Sequence, residues 1–257
     1  MDGPKRIVVI GGSAGAVDAL TQIVHAFPPG FSGAVVIVMH VRSGSVSVLP
    51  QILDRSGTLP VAHVRDGEAM KPGHIYVAPP DRHVVVAGST LQLTAGPREN
   101  GVRPSVDVLF RSAAATRGPD VVGVVLSGML GDGAAGLAAI KLQGGTVVVQ
   151  DPADADFAGM PEAALRAVEP DHVVPMVLMP KLLVMLVDEQ LVDEHGSVDT
   201  TNDSPVASAA RAVEEQVELY GRLAKRASEQ GARLVASHFE ERRIELSQHA
   251  ETVRRRC

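Results

Sequence analysis

Three residues of the types that make a hydrolytic relay each stand where an apolar run gives way to a polar or glycine-rich turn. Ser13 lies in Gly11-Gly12-Ser13-Ala14-Gly15, directly after Ile7-Val8-Val9-Ile10. His40 follows Ala34-Val35-Val36-Ile37-Val38-Met39. Asp132 lies in Ser127-Gly128-Met129-Leu130-Gly131-Asp132-Gly133-Ala134, after the run that begins at Val121. In such a set the serine hydroxyl attacks a carbonyl and the imidazole takes its proton. The carboxylate fixes the imidazole tautomer and stabilises the cation. Ligands of open parallel sheets gather at the carboxyl ends of the strands, so three strand-end residues can face one crevice.

Each residue also has a plainer reading. A glycine-rich strand-to-helix turn is a generic phosphate loop, but the segment around Ser13 lacks both the G-x-G-x-x-G spacing and the P-loop lysine. The turn fits G-x-S-x-G, which projects a serine from a sharp bend at a helix N-terminus, where free N–H groups suit an oxyanion. His40 is one of nine histidines, and a strand-end histidine is often a surface residue. Asp132, ahead of an Ala-rich segment, reads equally well as the N-cap of that helix. The order Ser13, His40, Asp132 is not the Ser…Asp…His of α/β-hydrolases. That fold would use Ser13, Asp132 and His172 instead, with an elbow unusually near the N-terminus; His40 is preferred.

The elements that must hold these residues follow from alternation of apolar runs and helical stretches up to about residue 190. Strands are predicted at Arg6–Gly11, Ala34–His40, Val121–Leu126 and Thr146–Gln150. Helices are predicted through Val17, Leu20 and Val24, from Pro104-Ser105 to about Thr116, over Asp132–Leu142, and from Pro161-Glu162. The stretch Gly73–Thr94, with its short runs and the turns Pro79-Pro80-Asp81 and Gly88-Ser89, predicts an antiparallel hairpin. The fold class is therefore α/β: a doubly wound, mostly parallel sheet with a short antiparallel hairpin.

Composition agrees with this and removes other classes. Apolar residues are 45% of the chain, Trp is absent and aromatics make up 3%, so the core is built from Val, Leu, Ile and Ala. A formal charge of −6 argues against nucleic-acid binding. No apolar run is long enough for a membrane span and no signal peptide is visible, so the expected location is cytoplasmic. The single cysteine, Cys257, excludes an intramolecular disulfide and any internal thiol nucleophile.

Beyond about residue 190 the pattern changes. The expected division is a catalytic domain over 1–190, a polar linker over 191–204, and a helical tail over 205–257. In the tail Val206, Ala210, Val213, Val217, Tyr220, Ala224 and Ala227 recur at spacings of four and three. Gly231 interrupts them, and Val235, Phe239, Leu246, Ala250 and Val253 form a second stripe. Either a C-terminal helical hairpin or a coiled coil that self-associates or binds a partner satisfies this pattern.

Taken together, several segments resemble one family. They are Ile10-Gly11-Gly12-Ser13-Ala14-Gly15, Met39-His40, Arg103-Pro104-Ser105-Val106-Asp107-Val108-Leu109-Phe110, Ser127-Gly128-Met129 and Asp132-Gly133-Ala134-Ala135-Gly136, with Gln150-Asp151 and Phe157–Ala164 later on. The set resembles the catalytic domain of CheB, the chemoreceptor protein-glutamate methylesterase, over about residues 5–190. The resemblance implies that Ser13 is the nucleophile, His40 the base and Asp132 its orienting carboxylate. It implies an oxyanion and substrate site around Gly12, Ala14 and Met129, and a reaction needing no metal or organic cofactor. The implied partners are the methylated cytoplasmic helices of chemoreceptors, with glutamine deamidation as a related activity. Alternatives are a non-enzymatic chemosensory scaffold of the same fold and a general esterase of small esters. Three departures stand out. Ala14 replaces a common Thr, Val41-Arg42-Ser43-Gly44 replaces a Pro-rich loop, and with the first strand at about residue 6 the receiver domain typical of the family is expected to be absent.

Overall fold

In the computed structural model, the described residues are 3–41, 47–188 and, further on, Glu240, Arg243, Ile244 and Ser247. The core of the fold is a seven-stranded parallel sheet. Its strands are β1 (Ile7–Gly12), β2 (Ala34–Met39), β3 (Val61–His63), β5 (His74–Val77), β8 (Val121–Val125), β9 (Thr146–Gln150) and β10 (His172–Val174). They lie in the order β10-β9-β8-β1-β2-β5-β3. From β1 the chain winds outward through β2 toward one edge. It then returns to the other side of β1 as β8 and winds to the opposite edge. The direction of winding reverses between β1 and β8, the position at whose carboxyl ends ligands of open parallel sheets gather.

Helices cover both faces because the strands are apolar on both. Ile7, Val9, Val36, Val38, Val125 and Val149 point to the side of α3 (Val106–Arg117), α4 (Ala134–Leu142) and α5 (Gly159–Ala167). Val8, Ile10, Val35, Ile37, Val124 and Val148 point to α1 (Ala16–Ala26), α2 (Leu49–Asp54) and α6 (Met179–Val187). This two-residue alternation on a doubly buried strand is why the sequence reads as continuous apolar runs. Phe110, wholly buried, anchors α3 in the first layer; Phe27 and Phe31 pack ring to ring at 4.6 Å in the second.

The expected α/β class with a mostly parallel sheet is what the chain adopts. The hairpin is smaller than the sequence suggested. His74–Val77 is not part of it but a parallel strand of the main sheet, with Ala34 opposite His74 and Val61 opposite Ile75. Only β6 (His83–Ala87) and β7 (Thr90–Thr94) pair antiparallel, with β4 (Glu68–Ala69) added at the edge of β7. The reason lies in burial: Ile75, Tyr76 and Val77 are buried in succession, as in an interior parallel strand, and Pro79-Pro80 separates that strand from the hairpin. The helix expected from Asp132 begins two residues later, with Gly133 in the capping position, which frees Asp132 for another role.

Among the described residues, no helix is long and apolar enough to cross a membrane. The proposed linker and nearly all of the helical tail lie outside the described residues. Glu240, Arg243, Ile244 and Ser247 are helical, and Arg243 pairs with Glu240 at 2.6 Å.

Candidate active site

Ser13 is the first residue beyond β1, half-buried at the point where the sheet reverses its winding. Its own N–H donates to the Ser127 carbonyl at 2.9 Å, which ties the end of β1 to the end of β8. The turn passes through Gly15, whose φ of 77° favours glycine. A Cβ at Gly15 would also fall 2.7 Å from both Ser127 Oγ and Asp156 Cβ. Ser127 Oγ uses that closeness: it donates to the Ala14 carbonyl at 2.8 Å and accepts the Phe157 N–H at 2.9 Å. Gln150 Oε1, buried at the end of β9, accepts the Ser127 N–H at 2.9 Å. The turn that carries Ser13 is therefore held by three strand ends, not by its own glycines alone.

Gly128 lets the loop after β8 lie against the serine. A Cβ there would overlap the Met160 thioether and come within 3.0 Å of Ser13 Cβ. Gly128 also donates to the Phe157 carbonyl at 2.9 Å and accepts from the Met160 N–H at 2.8 Å. Met129 and Leu130 follow at the surface, 65% and 67% exposed. Among the described residues, no acceptor takes the N–H of Ala14 or of Met129. Gly12 closes β1, and its carbonyl accepts the His40 N–H at 3.2 Å, so it sets the backbone of the histidine.

His40 and Asp132, 92 residues apart, meet directly: Nε2 lies 2.7 Å from Oδ2. With Nε2–H donated to the carboxylate, Nδ1 is the nitrogen left to act as a base. The imidazole is 13% exposed and the carboxylate 1%. A carboxylate so buried needs several donors. Asp132 has five: His40, the Val106 N–H at 2.7 Å, Ser105 Oγ at 2.8 Å, Asn100 Nδ2 at 2.9 Å and the Asp107 N–H at 3.2 Å. Burial by itself pushes the Asp132 pKa up. The donors, led by His40, Val106, Asn100 and Ser105, outweigh it and bring the value down to about 2. His172, the alternative histidine, stands at the start of β10, the amino end of its strand, and takes no part in this cluster.

The backbone donors are the N-terminus of α3. Ser105 is the N-cap residue, yet its hydroxyl makes no bond to its own helix. It donates to Asp132, and Asp132, 26 residues beyond Val106, accepts the free N–H groups instead. Helix N-termini attract anions, and here the anion is a side chain. Asp107 does the same for α4: its Oδ1 accepts the Gly136 N–H at 2.6 Å. Burial raises the Asp107 pKa, the Gly136 N–H opposes this, and the charge of Asp132 adds to the rise.

Asn100, Ser105, Asp107 and Gln150 carry no local signal of these roles. Asn100-Gly101 has the composition of an exposed turn, and only folding brings its amide to residues 7 and 32 positions later. Ser105 and Asp107 had a cue in the first turn of a predicted helix, but the cue points to capping of their own helix.

A model of the CheB methylesterase family matches residues 8–183. A putative protein-glutamate methylesterase/protein-glutamine glutaminase of Leptospira interrogans is 37% identical over 180 residues, covering 70% of this chain and 93% of that protein. Protein-glutamate methylesterase/protein-glutamine glutaminase 2 of Methanosarcina mazei is 36% identical over 191 residues. That match covers 71% of this chain and 52% of the relative, so the chain spans about half the relative's length. The crystal structure of the Thermotoga maritima CheB methylesterase catalytic domain aligns at a TM-score of 0.68 and 34% identity. It covers 73% of this chain and 100% of that one.

Proposed function

The chain belongs to the CheB methylesterase family, and from that membership we propose that it is a serine hydrolase of glutamate γ-methyl esters on chemoreceptor proteins. The observation that carries this reading is the His40–Asp132 contact at 2.7 Å beside a nucleophile turn, at the point where the sheet reverses. The names of the relatives add glutamine deamidation, which is acyl transfer with ammonia in place of methanol as the leaving group.

In the proposed mechanism Ser13 Oγ attacks the ester carbonyl carbon as His40 Nδ1 takes its proton. Asp132 keeps the other nitrogen protonated and stabilises the imidazolium. The N–H groups of Ala14 and Met129 receive the oxyanion, as donors fixed before the charge develops. The tetrahedral adduct collapses, the C–OCH3 bond breaks, and His40 returns its proton to the departing methoxide. Methanol leaves an acyl ester on Ser13. Water then attacks that ester with His40 again as base, giving the glutamate carboxylate and free Ser13. Ala14 supplies a backbone donor as well as Thr would, so the missing hydroxyl bears on substrate placement and leaves the relay intact.

The test is methanol release from methylated receptors, with a small chromogenic ester in parallel. Wild-type protein is expected to release methanol and the Ser13→Ala variant to release none. Full activity of that variant would overturn the assignment. Turnover of the small ester alone would replace receptor demethylation with general esterase activity.

A further inference from the structure

His83, the first residue of β6, is 2% exposed and lies outside the three residues that carry the chemistry. Both of its ring nitrogens are engaged. Nε2 lies 2.9 Å from the Pro97 carbonyl, which can only accept. Nδ1 lies 3.2 Å from the Ser105 N–H, which can only donate. The two partners together admit one arrangement of the ring: Nε2 carries the proton and Nδ1 offers its lone pair.

What His83 holds is the residue that connects to the catalytic carboxylate. Ser105 is fully buried, and its Oγ donates to Asp132 Oδ1 at 2.8 Å while the next N–H, from Val106, donates to Oδ2 at 2.7 Å. The Ser105 N–H precedes the first turn of α3, so no residue of that helix accepts it. Without His83 this buried donor loses its acceptor, and the backbone that aims Ser105 and Val106 at Asp132 is free to rotate toward another. The Pro97 bond ties the same ring to the segment that runs on to Asn100, which donates to the same Asp132 Oδ1 as Ser105.

Resting on the hydrolase reading above, we propose that His83 is a positioning residue for catalysis. It acts through Ser105 to hold Asp132, and through Asp132 to hold the His40 imidazole in its working orientation. A side chain at this place must accept a hydrogen bond at the δ position and be small enough to remain buried. Asparagine meets that demand, since its Oδ1 occupies the place of Nδ1. Glutamine reaches the place of Nε2 and can serve Pro97, but offers no acceptor to Ser105. Leucine offers neither.

The experiment compares His83→Asn, His83→Gln and His83→Leu in the full chain, using the rate of Ser13 labelling by a serine-directed phosphonate together with kcat and KM for the ester substrate. Losing a buried hydrogen-bond acceptor sets the expected scale at about a tenfold fall in labelling rate and in kcat for the Gln and Leu variants. KM is expected to stay near the wild-type value, and the Asn variant to recover to within about threefold of wild type. Nitrogen-15 spectra of the wild-type histidines are expected to show His83 protonated at Nε2 alone. Equal rates for Asn and Gln, an unchanged rate for Leu, or a His83 protonated at Nδ1 would each overturn the proposal. Should Leu fail to fold, the Asn–Gln pair decides it. Absence of labelling in the wild type would instead remove the hydrolase reading itself, and the role of His83 with it.

Discussion

Asp107 and Asp132 share one amide: Asn100 Nδ2 lies 2.8 Å from Oδ2 of the first and 2.9 Å from Oδ1 of the second. Asp107 also receives the N-terminus of α4, the helix that follows Asp132, and Asp132 receives that of α3, the helix in which Asp107 lies. Two buried acids side by side would repel, and the amide and the two helix ends offset that repulsion. The carboxylate that orients His40 is thus built into the α3–α4 packing, and the site and the fold depend on the same bonds.

Asn100 is accordingly expected to matter for rate out of proportion to its exposed position. Asn100 has a φ of 53°, so replacing it by Gly removes the amide and keeps the backbone relaxed, whereas Ala removes the amide and adds strain of about 1–2 kcal/mol. Both variants are expected to lower kcat by about tenfold. The Ala variant is expected to melt at the lower temperature. Asn100→Asp brings a third carboxylate to the pair and should be the most damaging of the three. Steady-state kinetics and thermal melts check each outcome.

Asp132 makes the stability of the fold depend on pH in a defined direction. Its folded pKa of about 2 is below the ordinary carboxylate value of 3.8. Its contribution is therefore fully present above about pH 4 and is lost as the pH falls through about 2. Its size is about 2 kcal/mol. Denaturant unfolding of wild type and Asp132→Asn at several pH values should show the gap between them narrowing from pH 5 to pH 2. Asp107 carries the opposite sign. Chiefly through burial its pKa is raised, so its ionisation weakens the fold as pH climbs past the ordinary carboxylate range.

The Asp132→Asn variant should also separate catalysis from stability. An amide nitrogen facing His40 Nε2–H forces the imidazole toward the other tautomer, which protonates the nitrogen meant to act as base. A loss of about 10^4-fold in kcat is the scale seen when the carboxylate of a serine-protease triad is made an amide. Methanol release at neutral pH, scaled to the folded fraction given by the same denaturant curves, measures it.

Gly128 and Met160 are expected to behave as a coupled pair. Gly128→Ala puts a methyl group into the buried Met160 thioether and close to Ser13 Cβ. Overpacking of this kind destabilises by about 1–3 kcal/mol. The displaced loop should also slow the reaction. Met160→Ala alone leaves a cavity and costs about 2–5 kcal/mol. Combined, the two should be less harmful than their sum, because the added methyl fills part of the space left by the thioether. A double-mutant cycle in denaturant gives the coupling.

How far the sequence could be read depended on the range of the interactions involved. The strands β1, β2, β8 and β9 were legible within a residue or so because each is buried on both faces and has to be apolar throughout. The β5 strand was misassigned for the converse reason. Four residues fit either a hairpin or a parallel sheet, and the choice depends on β2, which lies far off in the chain. Val61–His63 and Glu68–Ala69 are too short to carry a period at all.

Ser13, His40 and Asp132 were legible as candidates because strand ends can be located from the apolar runs that precede them. Pairing His40 with Asp132 needed the tertiary structure, since periodicity does not fix which strands are neighbours or the angle at which side chains meet. Local patterns in the chain were enough for the parallel sheet, the glycine-rich turn at Ser13 and the residue types that can perform acyl transfer. Only folding decided that Asp132 accepts α3 rather than capping α4, that Asn100 joins two acids, and that His83 stands behind Ser105. Those bonds link parts of the chain 7 to 32 residues apart, and no local preference encodes a partner at that distance.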